Sequence, residues 1–385
     1  MKPVAERIAT TAVFLANGLG IGAWAVEVPR IKEALSLSDA SLGIALFCFA
    51  LGAIVAMPLA GRLAPRFGSG RVTALLGVAF VIALPLPALV PDFALLCVVL
   101  FALGAANGAL DVSMNGHASA IEGEWRAPIM SSFHAAWSMG GLLGAAGGAA
   151  FQANGIGMMG GLLLPDLVIS ALIVTSALLA LREIGPRVLA SASGFVLPSA
   201  GVMKLAALAF LCMLMEGAVA DWSAVFLRSA LDTQANAAAL GYSSFAFAMA
   251  VCRVVGDVSV RRLGSSVVVA SGGLIAALGL ALVLGYPNVV TACVGFALVG
   301  IGLSNIVPVI FSAAGRSTKT PAVGVSMAAT AGYAGFLMGP PLIGLGAGFL
   351  GLRLALCALL LAALLVCLVG GKAVSRGVSN RRFKC

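Results

Sequence analysis

Residues 93–117 read FALLCVVLFALGAANGALDVSMNGH, a run whose only formally charged side chain is Asp111. At about 1.5 Å per residue, such a run wound as a helix exceeds the ~30 Å hydrocarbon core of a bilayer. Backbone inside lipid must satisfy its own hydrogen bonds, so the segment reads as a membrane-spanning helix. It is more than an anchor, because Asn107, Asp111 and Asn115 interrupt it. Ionisable groups at membrane depth cost about 3 kcal/mol or more unless paired or wet, which makes such residues candidate functional positions.

The same texture fills the chain. Of 385 residues, 61% are hydrophobic and 10% charged, against about 25% charged in ordinary soluble domains. Apolar runs separated by charged or Pro/Gly breaks give twelve candidate spans: 7–28, 39–60, 71–90, 93–117, 128–151 and 161–181, then 203–227, 238–258, 264–285, 288–313, 323–348 and 351–371. The 48 glycines suit close helix packing in lipid. The first run contains Asn17, Trp24 and Glu27 and lacks a small-residue cleavage site, so it reads as a retained helix and not a signal peptide. Cys48, Cys97, Cys212, Cys252, Cys293, Cys357, Cys367 and Cys385 lie singly, with no CxxC pair and no zinc spacing. No metal and no cofactor is expected.

Charge sets the topology. With a cytoplasmic N-terminus, all of the 23 basic residues except Arg30, Lys32, Arg228 and Arg353 fall on the cytoplasmic side, as the positive-inside rule requires. Both termini are then cytoplasmic. The net charge of +9 reports topology and contact with anionic lipid, and nucleic acid is not an expected partner.

Internal echoes divide the spans into two halves. At an offset of 198, Trp24 matches Trp222, Arg30 matches Arg228, Gly43 matches Gly241 and Asn107 matches Asn305; at 195, Gly140 matches Gly335 and Gly144 matches Gly339. The expected architecture is an all-α membrane protein of two pseudo-symmetric six-helix bundles. The first bundle covers 1–182, a cytoplasmic linker 183–202, the second bundle 203–371 and a basic tail 372–385.

Several side chains then become candidates. Asn17 and Glu216 fall near the middle of the first and seventh spans, and the two would face each other across the seam between halves. Burial disfavours the charge of Glu216, which makes it the first candidate for proton coupling; the alternative is a glutamate bonded for packing. Asp111 and His134 lie where a helical hairpin could join them, either as a proton-exchanging pair or as a static ion pair. Asn107, Asn115 and Asn305 offer amides to a polar solute, and Trp137 and Tyr333 offer flat faces. Trp24 and Trp222 lie near helix ends and fit an interfacial belt or outer gate.

The stretch Gly61-Arg62-Leu63-Ala64-Pro65-Arg66-Phe67-Gly68 resembles the G-x-x-x-D-R-x-G signature of the major facilitator superfamily, with Pro65 in place of the aspartate. In that family the acid helps lock the inner gate by bonding the start of helix eleven, so the lock is in doubt in the first half. Arg253, Gly256, Asp257, Arg261, Arg262 and Gly264 supply the matching loop of the second half. Further stretches, AWAVEVPRIKEALSLSDASLGIAL, LDVSMNGHA, SSFHAAWS, EGAVADWSAVFLR, GLSNIVPVIFSAAGR and GYAGFLMGPPLIG, resemble the bacterial branch that includes YbjJ and MosC. The resemblance implies a monomeric inner-membrane transporter of a small polar, sugar-like or inositol-like compound, working by alternating access. The family's exporters carry a glycine-proline motif in helix five; here that helix reads GGLLGAAGGAAF, although Gly339-Pro340-Pro341 occurs in helix eleven. A membrane enzyme or ATP-driven pump is disfavoured, since the chain has no phosphate loop, HExxH pair or G-x-S-x-G serine.

Overall fold

A computed structural model of the protein describes residues 3–37, 39–179, 199–230, 235–286 and 288–379. All regular structure among them is helical: α1 (Val4–Ala34), α2 (Asp39–Phe67), α3 (Ser69–Ala83), α4 (Phe93–Trp125), α5 (Met130–Ala153), α6 (Met158–Leu179), α7 (Ala200–Ala230), α8 (Ala235–Val254), α9 (Gly256–Leu263), α10 (Ser265–Gly285), α11 (Val289–Leu303), α12 (Ile306–Arg316), α13 (Pro321–Leu350), α14 (Leu352–Leu365) and α15 (Gly371–Ser379). Among the described residues, ten helices are long and apolar enough to cross a membrane; the bent pair of α8 and α9 makes eleven. The 24 residues of α5, which is not one of these ten, are also long enough to span.

Several helices overrun the expected bounds, α1 at both ends and α2 and α4 at their C-terminal ends. Gly61, Arg66 and Pro65 therefore lie inside a helix and not in a loop, and Gly68 alone separates α2 from α3. Its φ of 92° is a conformation glycine adopts without steric cost, and Gly264 repeats it at 83° between α9 and α10. The expected linker 183–202 lies, up to residue 198, outside the described residues, as do 380–385 of the expected tail. Residues 372–379 continue as helix α15.

The chain forms two compact units. One comprises Met1–Ala127, Phe133–Val196 and Thr318–Ser326; the other comprises Pro128–Ser132, Leu197–Ser317 and Met327–Cys385. The start of α5 thus packs with the second unit and the start of α13 with the first.

Backbone contacts reveal the repeat and correct its register. A Cβ on Gly104 of α4 would collide with the Phe49 carbonyl of α2, and a Cβ on Gly300 would collide in the same way with the Phe245 carbonyl, both residues 196 positions on (104 to 300, 49 to 245). Asp92 accepts the Leu95 amide at 2.9 Å to cap α4, and Asn288, again 196 on, accepts the Thr291 amide at 3.0 Å to cap α11. Gly140 and Gly144 press on the Leu15 and Leu19 carbonyls, while Gly335 and Gly339 press on Phe210 and Leu214, an offset of 195 (140 to 335, 15 to 210). The 195 echo is therefore structural. The 198 matches are two to three residues out of step, so Asn107 corresponds to Leu303 and not to Asn305. In the same register Asn17 corresponds to Cys212 and Trp137 to Gly332.

Candidate functional site

In the first unit, three predicted solute-binding residues from three helices meet. Glycines 18, 22, 140 and 144 allow α1 and α5 to approach backbone to backbone, which brings Trp137 of α5 over Asn17 of α1. Trp137 Nε1 donates to Asn17 Oδ1 at 2.9 Å, and Asn17 Nδ2 donates to Asn107 Oδ1 of α4 at 2.8 Å. Both asparagines are buried.

One and two turns further along α4 lies a second polar group. Asp111 and His134 do not touch; Asn115 stands between them. Its Nδ2 donates to Asp111 Oδ1 at 3.1 Å and to the Asp111 carbonyl at 2.9 Å, and its Oδ1 faces His134 Nε2 at 3.1 Å. An amide oxygen only accepts, so His134 carries its proton on Nε2 in this contact. Asp111 Oδ2 is buried without a partner among the described residues. His134 is held edge-on against Phe14, with ring centroids 5.6 Å apart. Further along, His117 Nδ1 pairs with Ser69 Oγ and Ser113 Oγ with Thr73 Oγ1, both at 2.8 Å, and these bonds join α4 to α3.

In the second unit, Glu216 of α7 is paired with Arg253 of α8 at 3.9 Å. Arg253 corrects a prediction: it is buried at the end of α8 and not part of a gating loop. Its Nε donates to the Ser304 carbonyl at 3.3 Å, where α11 gives way to α12. Asn305 sits at that break, with Nδ2 donating to the Cys252 carbonyl at 3.0 Å and to Ser304 Oγ at 2.9 Å, and with Oδ1 crowding Gly256. Glu216 is therefore not a lone acid, because a guanidinium neutralises it and ties it through backbone to Asn305. Tyr333 is half-buried on α13.

The remaining gate candidates separate by role. Asp257 is buried at the start of α9 and accepts the Ser132 amide at 3.2 Å, while Arg261 reaches the Pro128 carbonyl at 3.5 Å. Gly61 is buried where Ser326 of α13 packs, and Ser326 Oγ donates to the Met57 carbonyl at 2.9 Å. Arg66 is exposed over the Phe67 ring, and Arg262 is exposed. Pro65 itself supplies no acid, and the first turn of α13 is served by Thr318 Oγ1, which precedes the helix and accepts from Gly324 N at 3.2 Å.

Sequence reasoning missed Glu27 as a structural group. It is fully buried, paired with Arg30 at 3.1 Å and within 3.5 Å of Gln152 Nε2. The i,i+3 spacing of Glu27 and Arg30 was its signal. Among the described residues no three His, Cys, Asp or Glu side chains are grouped to hold a metal ion.

Two units of one repeated helical fold, with polar chains buried among long apolar helices, define a multi-pass membrane protein. The Major Facilitator Superfamily model matches residues 10–190. A Yersinia pestis protein described as an uncharacterized MFS-type transporter is 37% identical over 376 residues, covering 97% of both chains. Membrane protein MosC of Rhizobium meliloti is 35% identical over 91% of this chain and 86% of its own. In fold the chain is similar to the E. coli fucose:proton symporter FucP, with TM-score 0.80 and 15% identity across 98% of this chain and 99% of that one. It is also similar to the human organic anion transporter MFSD10, with TM-score 0.74 and 15% identity across 96% and 99%. The chain belongs to the major facilitator superfamily, a family of transporters and not of enzymes.

Proposed function

We propose that this protein is a secondary active transporter that moves a small polar organic solute, of sugar, polyol or vitamin type, across the bacterial inner membrane by alternating access coupled to protons. The observation that carries the reading is the buried chain from Trp137 through Asn17 to Asn107, which ends on an Asn107 Nδ2 that makes no hydrogen bond among the described residues; polar groups inside membrane helices mark substrate pathways. The fold is one that a fucose:proton symporter also uses, which supports the same class.

Glu216 is the coupling acid in this reading. Its side chain is 23% exposed, whereas that of Arg253 is 7% exposed, so the acid is the more accessible member of the pair. Protonation removes the counter-charge of Arg253 and biases the balance between inward-open and outward-open states, as any ligand does that binds two states unequally. Residues up to about 185 rock against those from about 203 in the manner of paired repeats. Twelve spans, both termini cytoplasmic and a monomeric state complete the proposal. The distribution of basic residues and the length of α5 support it.

The test uses purified protein in proteoliposomes. A thermal-shift screen with sugars, polyols, vitamins and drugs identifies a solute by mass action. Under an imposed pH difference the wild type accumulates that solute, and Glu216→Gln exchanges it without accumulation. Accumulation by Glu216→Gln would remove that residue from coupling, and stabilisation by drugs alone would replace the solute reading with an exporter.

A further inference from the structure

The indole Nε1–H of Trp137 can only donate, so the Asn17 atom 2.9 Å away must be its oxygen. The other end of the Asn17 amide is then NH2, and it meets Asn107 at 2.8 Å, so Asn107 must offer its oxygen there. Asn107 is left with Nδ2 as the free end of the chain, and among the described residues that group makes no hydrogen bond. An isolated asparagine can turn its amide over to suit a donor or an acceptor. Asn107 cannot, because turning it would set N–H against N–H at Asn17, and turning Asn17 as well would set N–H against the indole. A donor-only group on α5 thus fixes the polarity of a group on α4 by way of α1. The second unit has no counterpart, since Cys212 and Gly332 occupy the positions that correspond to Asn17 and Trp137.

We propose that Asn17 is a positioning residue that holds Asn107 as a hydrogen-bond donor. On the polar-solute reading above, on which this inference rests, the transported compound presents an oxygen acceptor (a hydroxyl, carbonyl or carboxylate oxygen) to Asn107 Nδ2. Analogues with an ammonium at that position are rejected. Burial gives the rule its force, because an unmatched donor pair cannot be relieved by bulk water.

Two measurements on the full-length protein test this. In the first, the indole N–H signals of the four tryptophans are followed by NMR with 15N-labelled tryptophan, and Trp137→Phe assigns one of them. Asn17→Leu is expected to shift that signal alone and to speed its hydrogen exchange; an unchanged signal would overturn the chain and the proposal with it. In the second, hexoses and inositols are compared by thermal shift with analogues in which one hydroxyl at a time is replaced by an ammonium. The wild type is expected to disfavour the ammonium at one position by about tenfold or more. Asn107→Asp, whose carboxylate when ionised offers only acceptors, reverses that preference at a pH above its titration, Asn107→Leu loses it and Asn17→Leu weakens it. Wild-type preference retained by Asn107→Asp overturns the polarity rule and leaves the polar-solute reading standing. No response of the wild type to any member of the panel overturns both.

Discussion

Asp257, in the first turn of α9, accepts the amide of Ser132 in the first turn of α5 at 3.2 Å. An acid at a helix N-terminus satisfies an orphan N–H and complements the positive end of the helix dipole. The start of α13 is served instead by the hydroxyl of Thr318, which accepts the Gly324 amide. Asp257→Ala should therefore destabilise the protein by about 1–2 kcal/mol and Asp257→Asn by less, since an amide oxygen still accepts. Thr318→Ala should cost about 0.5–1 kcal/mol. Unfolding in mixed micelles measures all three, and equal losses for Asp257→Ala and Thr318→Ala would contradict the asymmetry.

The pair of Glu216 and Arg253 yields a sharper contrast. Removing the acid takes the carboxylate away from a buried guanidinium that keeps its charge, whereas removing both charges also removes the cost of burying the guanidinium. Glu216→Gln is expected to cost about 2 kcal/mol, the buried-pair figure discounted for the partial exposure of the acid, and Glu216→Gln with Arg253→Gln should cost less than the sum of the single changes. Strict additivity in the unfolding cycle would show that the two side chains do not interact.

Asn115 holds Asp111 and His134 apart while bonding both. Its loss strips Asp111 Oδ1 of a side-chain donor when Oδ2 already lacks one among the described residues. Asn115→Ala should cost about 2–3 kcal/mol, and Asp111→Leu added to it should recover part of that by removing the orphaned carboxyl. A loss under about 0.5 kcal/mol for Asn115→Ala alone would mean that water serves the carboxyl equally well.

Long apolar runs exposed the fold directly, because the period and length of a spanning helix depend on local composition. Helix ends were harder to place. Nothing in Gly61 to Phe67 marks the exit from lipid, since a helix continues through Arg62 and Pro65 until Gly68 turns the chain. Asn17, Asn107 and Trp137 were legible one by one as polar groups in apolar runs, yet their union depends on the glycine contacts between α1 and α5. Arg253 was misread for the opposite reason. A basic residue near a run's end resembles a loop residue until a partner such as Glu216, on another helix, draws it inward. The 198 echo failed because matching residue types does not track contacts, whereas the 195 and 196 registers rest on glycines pressed against particular carbonyls.

Those glycines supply the last prediction. A Cβ on Gly104 would collide with the Phe49 carbonyl and one on Gly300 with the Phe245 carbonyl, and backbone, unlike the tip of a side chain, cannot move aside cheaply. Gly104→Ala and Gly300→Ala should each cost about 1–3 kcal/mol through overpacking. Gly147 lies on α5 with nothing within 4 Å of a Cβ, so Gly147→Ala should be neutral or stabilising by up to ~1 kcal/mol through helix propensity. Because the contacts are related by the repeat, the two destabilising changes should be alike in size, and their double mutant additive, since each acts within its own unit. Unfolding in mixed micelles reads all four variants. Gly300→Ala behaving like Gly147→Ala while Gly104→Ala destabilises would break the 196 register on which the correspondence of the two halves rests.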